Sequence, residues 1–449
     1  MVGTPASLEQ ILANKERRAF KQQELLSRHL GYCLISLSIN TPSSIKCSHE
    51  ALVIYECAYE EIVTLLNKNN VDVGEIKPYI AITGAEALFT CKADAKSLKI
   101  LTCKLENEHP LGRMMDFDVF DEKGILLSRT EFNLPKRRCL MCKKEAHQCA
   151  REQTHDYHTL NEHIKKMVHT HAFDVSMALW CERAMRKEVE LTPKPGLVDS
   201  ANSGAHNDMD IKTFYASIHA IKPFLKQYIQ TAQSHAHEDA LSVFSKLRSL
   251  GIVCERAMFE STHGVNTHKG MIFSLAVMCG ALGVLYAQKK EFTCKNIQTQ
   301  MALLCQDLVN VDLLKKEGHS AGARFFYETG NSGIRGIAQS GFALVCEGSL
   351  PFYEEKNENY GEEQALKLTL LWLMAHLEDS TLWSRGGIEG LHYVKSRAKS
   401  LLESLPNTLW SLDAKLEAFN NDMTKRHLSP GGSADLLAMT WLMAQIVKS

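Results

Sequence analysis

Two aspartates separated by one residue, Asp116 and Asp118, are the first side chains whose type and spacing could do chemistry. They alternate with apolar residues over 115–120, a pattern that predicts a β-strand with both carboxylates on one face. Such a pair could bind Mg²⁺, which prefers oxygen ligands and substrate phosphates, or it could be a solvated acidic face. Arg113 lies just before the pair, and its planar guanidinium could bind a phosphate. Phosphoryl or nucleotidyl transfer is therefore one function that the segment indicates.

A basic and cysteine-rich segment follows at residues 136–155. Its cations, among them Arg137 and Arg138, could form a local anion site, although a run of charges is more often a solvated surface. Four residues in the segment are of types that bind zinc: Cys139, Cys142, Cys149 and His155. Because the segment has one C-x₂-C pair and no second pair at zinc-finger spacing, we favour buried thiols over a zinc site.

Polar side chains in the second half of the chain lie mostly where predicted helices begin or end. The loop at 192–209, which is rich in Pro and Gly, presents Lys194, Asp199, Asn202, His206 and Asp208. Glu255 lies within a predicted helix at 238–260. It is either a paired, core-facing residue or a catalytic one, and the pattern leaves both interpretations open.

The segment at 264–270 precedes a long apolar helix. Asn266 or Thr267 can cap that helix, and the backbone N–H groups of its first turn can bind an anion. His268 and Lys269 are expected to add positive charge. The alternative is ordinary helix capping, but a basic, capped entrance to a buried helix favours a phosphate site.

Three more polar clusters lie near predicted helix ends. They are Glu317-Gly-His-Ser-Ala-Gly-Ala-Arg, Glu378-Asp379 with Arg385-Gly-Gly, and Ser429-Pro-Gly-Gly-Ser-Ala-Asp. The last could present backbone amides and the Asp435 carboxylate at the start of a helix. The sequence has no G-x₄-G-K-[ST] and no G-x-G-x-x-G motif, which argues against a P-loop and against a Rossmann site.

The elements that position these residues divide the chain into two predicted domains. Strands are expected at 35–39, 89–91, 98–105 and 115–120, with helices at 6–29 and 49–68. Further helices are expected at 163–190, 210–230, 238–260, 267–289, 296–316, 364–377, 390–403 and 433–447. We therefore expect an N-terminal α+β domain at 1–160 and a C-terminal all-α domain at 161–449.

Composition narrows the function classes. Lys and Arg total 51 and Asp and Glu total 52, so a net charge of -1 gives no support to nucleic-acid or membrane-surface binding. The uncharged run at 271–287 is interpreted as a buried central helix rather than a membrane span. The charged N-terminal residues lack the apolar stretch of a signal peptide, which predicts a cytoplasmic protein with reduced thiols.

Motifs in both halves resemble known families. The first half resembles the CitX family of apo-citrate lyase phosphoribosyl-dephospho-CoA transferases through Thr83-Gly-Ala-Glu-Ala, His109-Pro-Leu-Gly-Arg, Asp116-Phe-Asp-Val and Arg138-Cys-Leu-Met-Cys. The second half resembles the CitG family of triphosphoribosyl-dephospho-CoA synthases through Thr192-Pro-Lys-Pro-Gly-Leu-Val-Asp, Gly204-Ala-His-Asn-Asp-Met, Gly264-Val-Asn-Thr-His-Lys-Gly and Ser429-Pro-Gly-Gly-Ser-Ala-Asp. The whole chain is thus similar to natural fusions of the two families.

The resemblance implies two successive reactions. The C-terminal domain would join ATP and 3′-dephospho-CoA and release adenine, with Mg²⁺ expected at the triphosphate. The N-terminal domain, nucleotidyltransferase-like, would transfer the product to a serine of the citrate lyase acyl carrier protein, the gamma subunit, and release pyrophosphate. The partners implied are this carrier and small-molecule nucleotides, with no nucleic acid and no membrane.

The resemblance also suggests which residues serve each reaction. Asp116 and Asp118 would be catalytic and hold Mg²⁺, while Arg113, Arg137 and Arg138 would stabilise negative charge. Candidate catalytic carboxylates in the C-terminal domain are Asp208, Glu255 and Asp379. Substrate- and phosphate-binding residues expected there are Lys194, Asn202, His206, Asn266, Thr267, His268, Lys269, Arg324, Arg385, Gly431, Gly432 and Ser433.

Two other functions stay open at the level of sequence. A helical domain rich in Asp and His could be a metal-dependent glycohydrolase of ADP-ribose-like groups, in which water is the acceptor. Alternatively, the Cys and His residues of 139–155 could form a zinc module within a regulatory binding protein. Turnover of ATP with dephospho-CoA would separate both from the synthase.

Overall fold

The computed structural model describes residues 3–42, 44–314, 321–404 and 411–448. The chain separates into two compact units, Met1–Ser176 and Met177–Ser449, named here the N-terminal and the C-terminal unit. The predicted boundary at 160 and 161 precedes this division. The observed classes are the expected ones, α+β and then helical.

A four-stranded antiparallel sheet in the order β2-β3-β1-β4 is the centre of the N-terminal unit. Its strands are β1 (Cys33–Ile39), β2 (Asp72–Ala81), β3 (Gly84–Lys92) and β4 (Met115–Phe120). Its helices are α1 (Leu8–Arg28), α2 (His49–Lys68), α3 (Ala95–Glu108), α4 (Ala146–Arg151) and α5 (Tyr157–His171).

Helices cover both faces of this sheet because successive strand side chains point to opposite sides. On one face, Leu34 of β1 and Leu88 of β3 pack against Leu25 of α1. On the other face, Phe89 contacts Tyr59 of α2, with ring centroids 5.5 Å apart. Asp116 and Asp118 lie on the face that α1 covers, since their partners in β1 are the even-numbered residues of that strand.

The structure corrects one predicted strand and adds another. The strand predicted at 98–105 is wrong, because the segment belongs to helix α3. Asp94 caps this helix by accepting the Ser97 amide, and Leu98, Thr102 and Cys103 are buried at helical spacing. Strand β2 was not predicted. It lies at the edge of the sheet and is mostly exposed, so it lacks the apolar alternation that reveals a half-buried strand.

The described residues of the C-terminal unit contain helices and no strand, as expected. Its helices are α6 (Phe173–Glu190), α7 (Ile211–Ser234), α8 (Ala240–Ser261), α9 (Lys269–Ala287), α10 (Cys294–Leu304), α11 (Ala321–Thr329), α12 (Gly333–Gln339), α13 (Leu350–Tyr360), α14 (Glu362–His376), α15 (Ser380–Ser404), α16 (Leu412–Lys425) and α17 (Gly431–Lys448). Two π-helical turns, Asn310–Leu314 and Leu344–Ser349, interrupt the series.

Helix α9 is the core helix of the C-terminal unit. Its length and apolar composition would allow it to cross a membrane, but most of the helix is buried inside the structure. Gly283 permits the contact with α7, because a Cβ at this position would lie 2.5 Å from the Ile229 carbonyl oxygen. The interpretation of this run as a buried central helix is confirmed.

Candidate functional site

The acidic pair of the N-terminal unit lies on one face of β4, as the alternation predicted. Asp116 is paired in register with Ser38 of β1, and Asp118 with Ser36. Both carboxylates are half-buried. Burial and the neighbouring Asp116 raise the pKa of Asp118. The face therefore combines two carboxylates with two hydroxyl groups, all of them oxygen donors.

A third carboxylate, Glu86 of β3, lies in the same row of the sheet beyond Ser38. It is 4% exposed and accepts hydrogen bonds from Asn14 Nδ2 at 3.2 Å and from Arg18 Nη1 at 3.3 Å. Arg17 forms a further ion pair with it. Helix α1 thus brings two guanidinium groups to the acidic face. Sequence reasoning did not propose Glu86 as a site residue, although it lies in the Thr83-Gly-Ala-Glu-Ala motif.

Three guanidinium groups gather at the end of β4. Arg137 donates to Asp116 Oδ1 at 2.7 Å, and Arg129 pairs with the buried Glu106 of α3. Arg113 lies beside them, and its Nε and Nη1 atoms are buried without a hydrogen-bond partner. Burial and the charges of Arg137 and Arg129 lower the pKa of Arg113. Unpaired buried donors in a cationic cluster are suited to bind an anion.

Two predicted groups near this cluster have different surroundings. Arg138 is exposed, whereas Arg113 and Arg137 are partly buried. The four residues of zinc-binding type come together, with one ligand atom of each within 4.8 Å of all the others. Of the three thiols that we expected to be buried, Cys149 is buried and Cys139 and Cys142 are partly exposed.

A cavity of about 400 Å³ is the main candidate site of the C-terminal unit. Helices α8, α9 and α12 and the π-helical turn at Asn310–Leu314 form its walls. Glu255 and Lys269 line it and are paired, with Oε2 and Nζ 2.9 Å apart. This volume lies within the usual range of ligand pockets.

Two arginines that were not predicted also line the cavity. Arg248 of α8 and Arg335 of α12 both pair with Asp312, which is 8% exposed in the π-helical turn. Together with Lys269, they give the cavity three cations against the carboxylates of Glu255 and Asp312. Lys269 and Glu255 were predicted site residues. Sequence reasoning missed Arg248, Arg335 and Asp312, because these three are far apart in the chain and carry no shared motif.

Behind the cavity, the start of α9 meets a carboxylate of α17. A Cβ on Gly270 would overlap Asp435 Oδ2, so only glycine allows this approach. Burial and the carboxylates of Glu188 and Asp379 raise the pKa of Asp435 well above its usual range. Asp435 was noted at the start of a predicted helix but was not among the predicted site residues.

Lys194 was predicted to hold a phosphate, but the structure places its ammonium in an ion pair. The side chain is 1% exposed, and Nζ donates to the Glu188 carbonyl at 2.6 Å and pairs with the Glu188 carboxylate. Its backbone N–H donates to Asp199 Oδ2 at 3.0 Å. Asp199 also accepts the amides of Ala201 and Asn202, so it organises the loop.

His268 differs from its expected role as a cation. It is 2% exposed, and its Nδ1 lies 2.7 Å from Ser217 Oγ. Burial and the charge of Lys194 lower the pKa of His268 to about 3, so the ring is neutral near pH 7. Thr267 donates to the same serine at 2.8 Å, and Asn266 accepts the Lys269 amide at 3.2 Å. Asn266 thus accepts the first amide of α9, but the N-cap residue is His268, whose side chain makes no capping bond, so the expected cap at Asn266 or Thr267 is not the one observed. The positive charge expected on His268 is absent as well.

Asp379 is a clasp between two helix starts rather than an open carboxylate. It is 1% exposed and accepts the amides of Thr381 and Leu382 at the start of α15. It also accepts the Ser433 amide at 2.9 Å and the Ser433 hydroxyl at 3.1 Å, at the start of α17. Ser433 was expected to bind phosphate together with Gly431 and Gly432. Instead, Asp379 occupies both the amide and the hydroxyl of Ser433. Burial raises the pKa of Asp379.

His206 and Arg385 form a separate polar cluster with Ser429. His206 Nε2 lies 2.9 Å from Ser429 Oγ, and Arg385 Nη2 lies 3.0 Å from His206 Nδ1. Burial and Arg385 lower the pKa of His206 to about 4. Asp208 is exposed 3.8 Å from this ring, and Asn202 accepts from Asn420.

Part of one predicted cluster lies outside the described residues, namely 317–320. Its last residue, Arg324, is exposed beside Trp383 at a second cavity of about 630 Å³. Residues 318–322, Gly-His-Ser-Ala-Gly, match the G-x-S-x-G pattern of hydrolases. That nucleophile lies between a strand and a helix, and the described part of this unit contains no strand.

Two family models match the chain, one over each half. The family described as "ATP:dephospho-CoA triphosphoribosyl transferase", CitG, matches residues 175–449. The family described as "Apo-citrate lyase phosphoribosyl-dephospho-CoA transferase", CitX, matches residues 6–171.

Curated relatives show the same arrangement. Protein CitXG of Haemophilus influenzae is 37% identical over 98% of this chain and 96% of the relative. Protein CitXG of Leuconostoc mesenteroides subsp. cremoris is 32% identical over 100% of this chain and 98% of its own. A probable 2-(5''-triphosphoribosyl)-3'-dephosphocoenzyme-A synthase of Vibrio cholerae is 45% identical over 59% of this chain and 86% of the relative.

Fold and matches together define a two-part transferase, with an α+β unit followed by a helical unit. The chain belongs to the CitG family and carries a CitX domain before it, so that it is a natural fusion of the two. Its roles are the synthesis of the citrate lyase prosthetic group and the attachment of that group. The glycohydrolase and the regulatory zinc protein are thereby set aside.

Proposed function

We propose that the two reactions are divided between the two parts of the chain. Residues 161–449 would convert ATP and 3′-dephospho-CoA to 2-(5″-triphosphoribosyl)-3′-dephospho-CoA and adenine. Residues 1–160 would transfer this product to a serine of the citrate lyase acyl carrier protein, its gamma subunit. The order of the two family matches along the chain supports this division.

The cavity of the C-terminal unit is the proposed synthase site, and the charged groups on its wall carry this assignment. Lys269, Arg248 and Arg335 supply positive charge suited to a triphosphate. Glu255 is the carboxylate on the same wall. During adenine release the bond from the ribose anomeric carbon to adenine breaks as a hydroxyl of dephospho-CoA attacks. Glu255 would accept the proton of that hydroxyl.

The guanidinium cluster of the N-terminal unit is the proposed site of attachment. The serine hydroxyl of the carrier would attack the phosphorus next to the ribose, and pyrophosphate would leave. Arg113, with two unpaired buried N–H groups, and Arg137 would stabilise the negative charge on that leaving group. The antiparallel sheet would thus serve as a nucleotidyltransferase-like platform.

The face that carries Asp116 and Asp118 fits Mg²⁺. Its donors are carboxylate and hydroxyl oxygens, the ligand type that this ion prefers, and no ion pair within the described residues engages Asp118. Bound there, Mg²⁺ would neutralise charge on the substrate phosphates. Arg137 keeps one oxygen of Asp116 directed to the guanidinium cluster, which connects the acidic and basic halves of the site.

The proposed compartment is the cytoplasm. None of the fourteen cysteines forms a disulfide in the described structure, which is the arrangement expected in a reducing compartment. The acceptor and both nucleotides are soluble molecules, and we assign the enzyme neither a nucleic-acid nor a membrane partner.

Chromatography of the purified chain incubated with ATP, 3′-dephospho-CoA and Mg²⁺ tests the synthase. We expect free adenine only when both nucleotides are present. Addition of the apo-carrier should then release pyrophosphate and increase the mass of the carrier. Adenine release without dephospho-CoA would instead show that water is the acceptor and would contradict the assignment.

A further inference from the structure

We propose that Cys139, Cys142, Cys149 and His155 form a structural zinc site in the N-terminal unit. One ligand atom of each residue lies within 4.8 Å of the other three. Among the described residues, this is the one group of three or more His, Cys, Asp or Glu placed in that way. Three thiols and an imidazole are a ligand set of closed, tetrahedral structural zinc sites.

The separation between two of the sulfurs matches the geometry of bound zinc. Cys142 Sγ and Cys149 Sγ are 3.9 Å apart. A Zn–S bond of about 2.3 Å in a tetrahedral site separates two sulfurs by about 3.8 Å. A disulfide would bring them to about 2.05 Å. The two thiols are therefore spaced for a shared ion and not for a covalent bond.

The backbone holds the first two cysteines in a tight hairpin. The Cys139 amide donates to the Lys144 carbonyl, and the Ala146 amide donates to the Arg137 carbonyl, both at 2.8 Å. Inside this hairpin, the Met141 amide donates to Cys139 Sγ at 3.4 Å. Such an N–H group directed at sulfur stabilises a thiolate, the form that binds metal.

The other two ligands come from the turn that follows the hairpin. Cys149 lies in the short helix α4 and is 5% exposed. The Thr154 amide donates to the Cys149 carbonyl at 3.2 Å, which turns the chain so that His155 returns to the cluster. His155 Nε2 is buried and has no hydrogen-bond partner. A role for Nε2 as a metal ligand would explain why this polar atom has no hydrogen-bond partner.

The segment around the cluster lacks a hydrophobic core of its own. Between residues 121 and 156, Leu127 and Cys149 are the only buried residues. So little apolar burial does not offset the conformational entropy of an ordered loop, and small segments of this kind are commonly stabilised by a metal. Zinc would therefore supply the stability that packing does not.

The site also has a suitable charge environment. Zinc with three thiolates and a neutral imidazole carries one net negative charge. The same segment contributes exposed cations, including Arg138 and Lys143, and Lys144 is paired with Glu152. The basic residues that the sequence grouped as an anion site would thus partly balance the metal centre.

The position of the hairpin links zinc to the attachment site. Arg137, whose carbonyl closes the hairpin, directs its guanidinium to Asp116. Loss of zinc should therefore release Arg137 and reduce transfer to the carrier, a consequence that rests on the proposed function. The zinc site itself does not depend on that function, since it concerns the fold of residues 136–155.

Elemental analysis of the full chain, purified from zinc-containing medium, tests the proposal. We expect one zinc per chain in the natural protein, and less than about a tenth of that in Cys142→Ser and His155→Gln. His147→Gln is the matched control, because His147 is an exposed histidine of α4 outside the cluster. It should retain the zinc. Natural protein without zinc, or equal loss in the control, would overturn the proposal.

Cobalt substitution keeps the test decisive even where a variant folds poorly. The natural chain, stripped by a chelator and supplied with Co²⁺, should show thiolate-to-cobalt charge transfer and the strong visible bands of tetrahedral cobalt. Once the chelator is removed and Mg²⁺ is returned to the assay, adenine release should persist in the zinc-free protein, while residues 136–155 become sensitive to protease. Absence of the cobalt bands in a chain that still releases adenine would reject the site and leave the synthase assignment intact.

Discussion

The role of Glu255 can be inferred only from the residues that surround it in the structure. In the sequence it is one of several acidic residues of a helix. In the structure it lines the cavity and pairs with Lys269, next to the proposed reaction site. Asp379 was an equally strong candidate from sequence. Its carboxylate instead accepts four hydrogen bonds from groups at the starts of α15 and α17.

We expect Glu255→Gln to lower kcat for adenine release by about 10²- to 10⁴-fold, because the amide cannot accept the hydroxyl proton. Liquid chromatography of adenine under saturating nucleotide measures it. Glu260→Gln is the control, since Glu260 is exposed on the same helix. A Glu255→Gln enzyme of unchanged kcat would remove Glu255 from the reaction.

His268 makes the stability of the C-terminal unit dependent on pH. Its pKa is about 3 in the folded chain and near 6.5 when unfolded, so the unfolded state binds more protons between these values. Above pH 6.5 the ring is neutral in both states, so the stability of the unit is not reduced. As the pH falls below 6.5, protonation of the unfolded state lowers the free energy of unfolding, by about 1.4 kcal/mol at pH 5.5. His268→Gln should reduce the loss of stability between pH 7.5 and 5.5, measured by urea denaturation. An unchanged pH dependence would show that His268 is not held neutral.

At the scale of elements, the fold depends on contacts that bring helix starts together. Helices α9, α15 and α17 begin close to one another, with Asp379 bonded to the starts of α15 and α17 and Gly270 of α9 against Asp435. The polar groups that look like ligand-binding motifs in the sequence are partly used to satisfy these free backbone amides. Capping and catalysis draw on the same residue types, which is why sequence could not separate them.

We expect Asp379→Asn to destabilise the C-terminal unit by about 1–3 kcal/mol, because an amide nitrogen would face donors that now bond to a carboxylate. The free energy of unfolding in urea measures the loss. Glu389→Gln is the control, since Glu389 is exposed on α15. Equal stability of the two variants would argue against the clasp.

Local patterns predicted many of the elements that have a buried face, but helices α13 and α16 were not predicted although both bury apolar residues. Strand β4 was predicted because its alternation of Asp with apolar residues matches a strand with one face in the core. Helix α3 was mistaken for a strand, because its run of Leu, Ile and Thr resembles strand composition. Edge strand β2 buries too few side chains to show an alternation of apolar and polar residues in the sequence.

The candidate sites were predictable only where their residues are close in sequence. Asp116 and Asp118 share one strand, so spacing alone places them together. Glu86 lies in the same row of the sheet on a different strand, and Arg248 and Arg335 both pair with Asp312. These contacts depend on the tertiary structure. A single sequence does not contain that information locally.

At the scale of the whole molecule, the two activities should be separable. Asp118→Asn should lower carrier modification at least about 100-fold and leave adenine release unchanged, because Asp118 lies in the N-terminal unit. Mass spectrometry of the carrier and chromatography of adenine measure the two. Loss of both activities in a folded variant would contradict the division of labour.

Mixing the Asp118→Asn and Glu255→Gln chains should restore carrier modification. The intermediate is a small molecule, and a synthase similar to the C-terminal part exists as a separate chain in Vibrio cholerae. We therefore expect transfer through solution to be sufficient. The mass of the carrier after mixing measures it, with each variant alone as the control. Failure of the mixture, with each partner reaction intact, would contradict exchange through solution.

The burial of α9 has a consequence for the newborn chain on the ribosome. A helix this apolar would be a substrate for membrane insertion or for chaperones if it emerged without partners. Helices α7 and α8, which pack against it, precede it in the chain and are therefore synthesised first. Because synthesis runs from the N-terminus, α7 and α8 are available to cover α9 when this apolar helix leaves the ribosome. A circular permutant that starts at α9 would instead expose this helix until α7 and α8 are made.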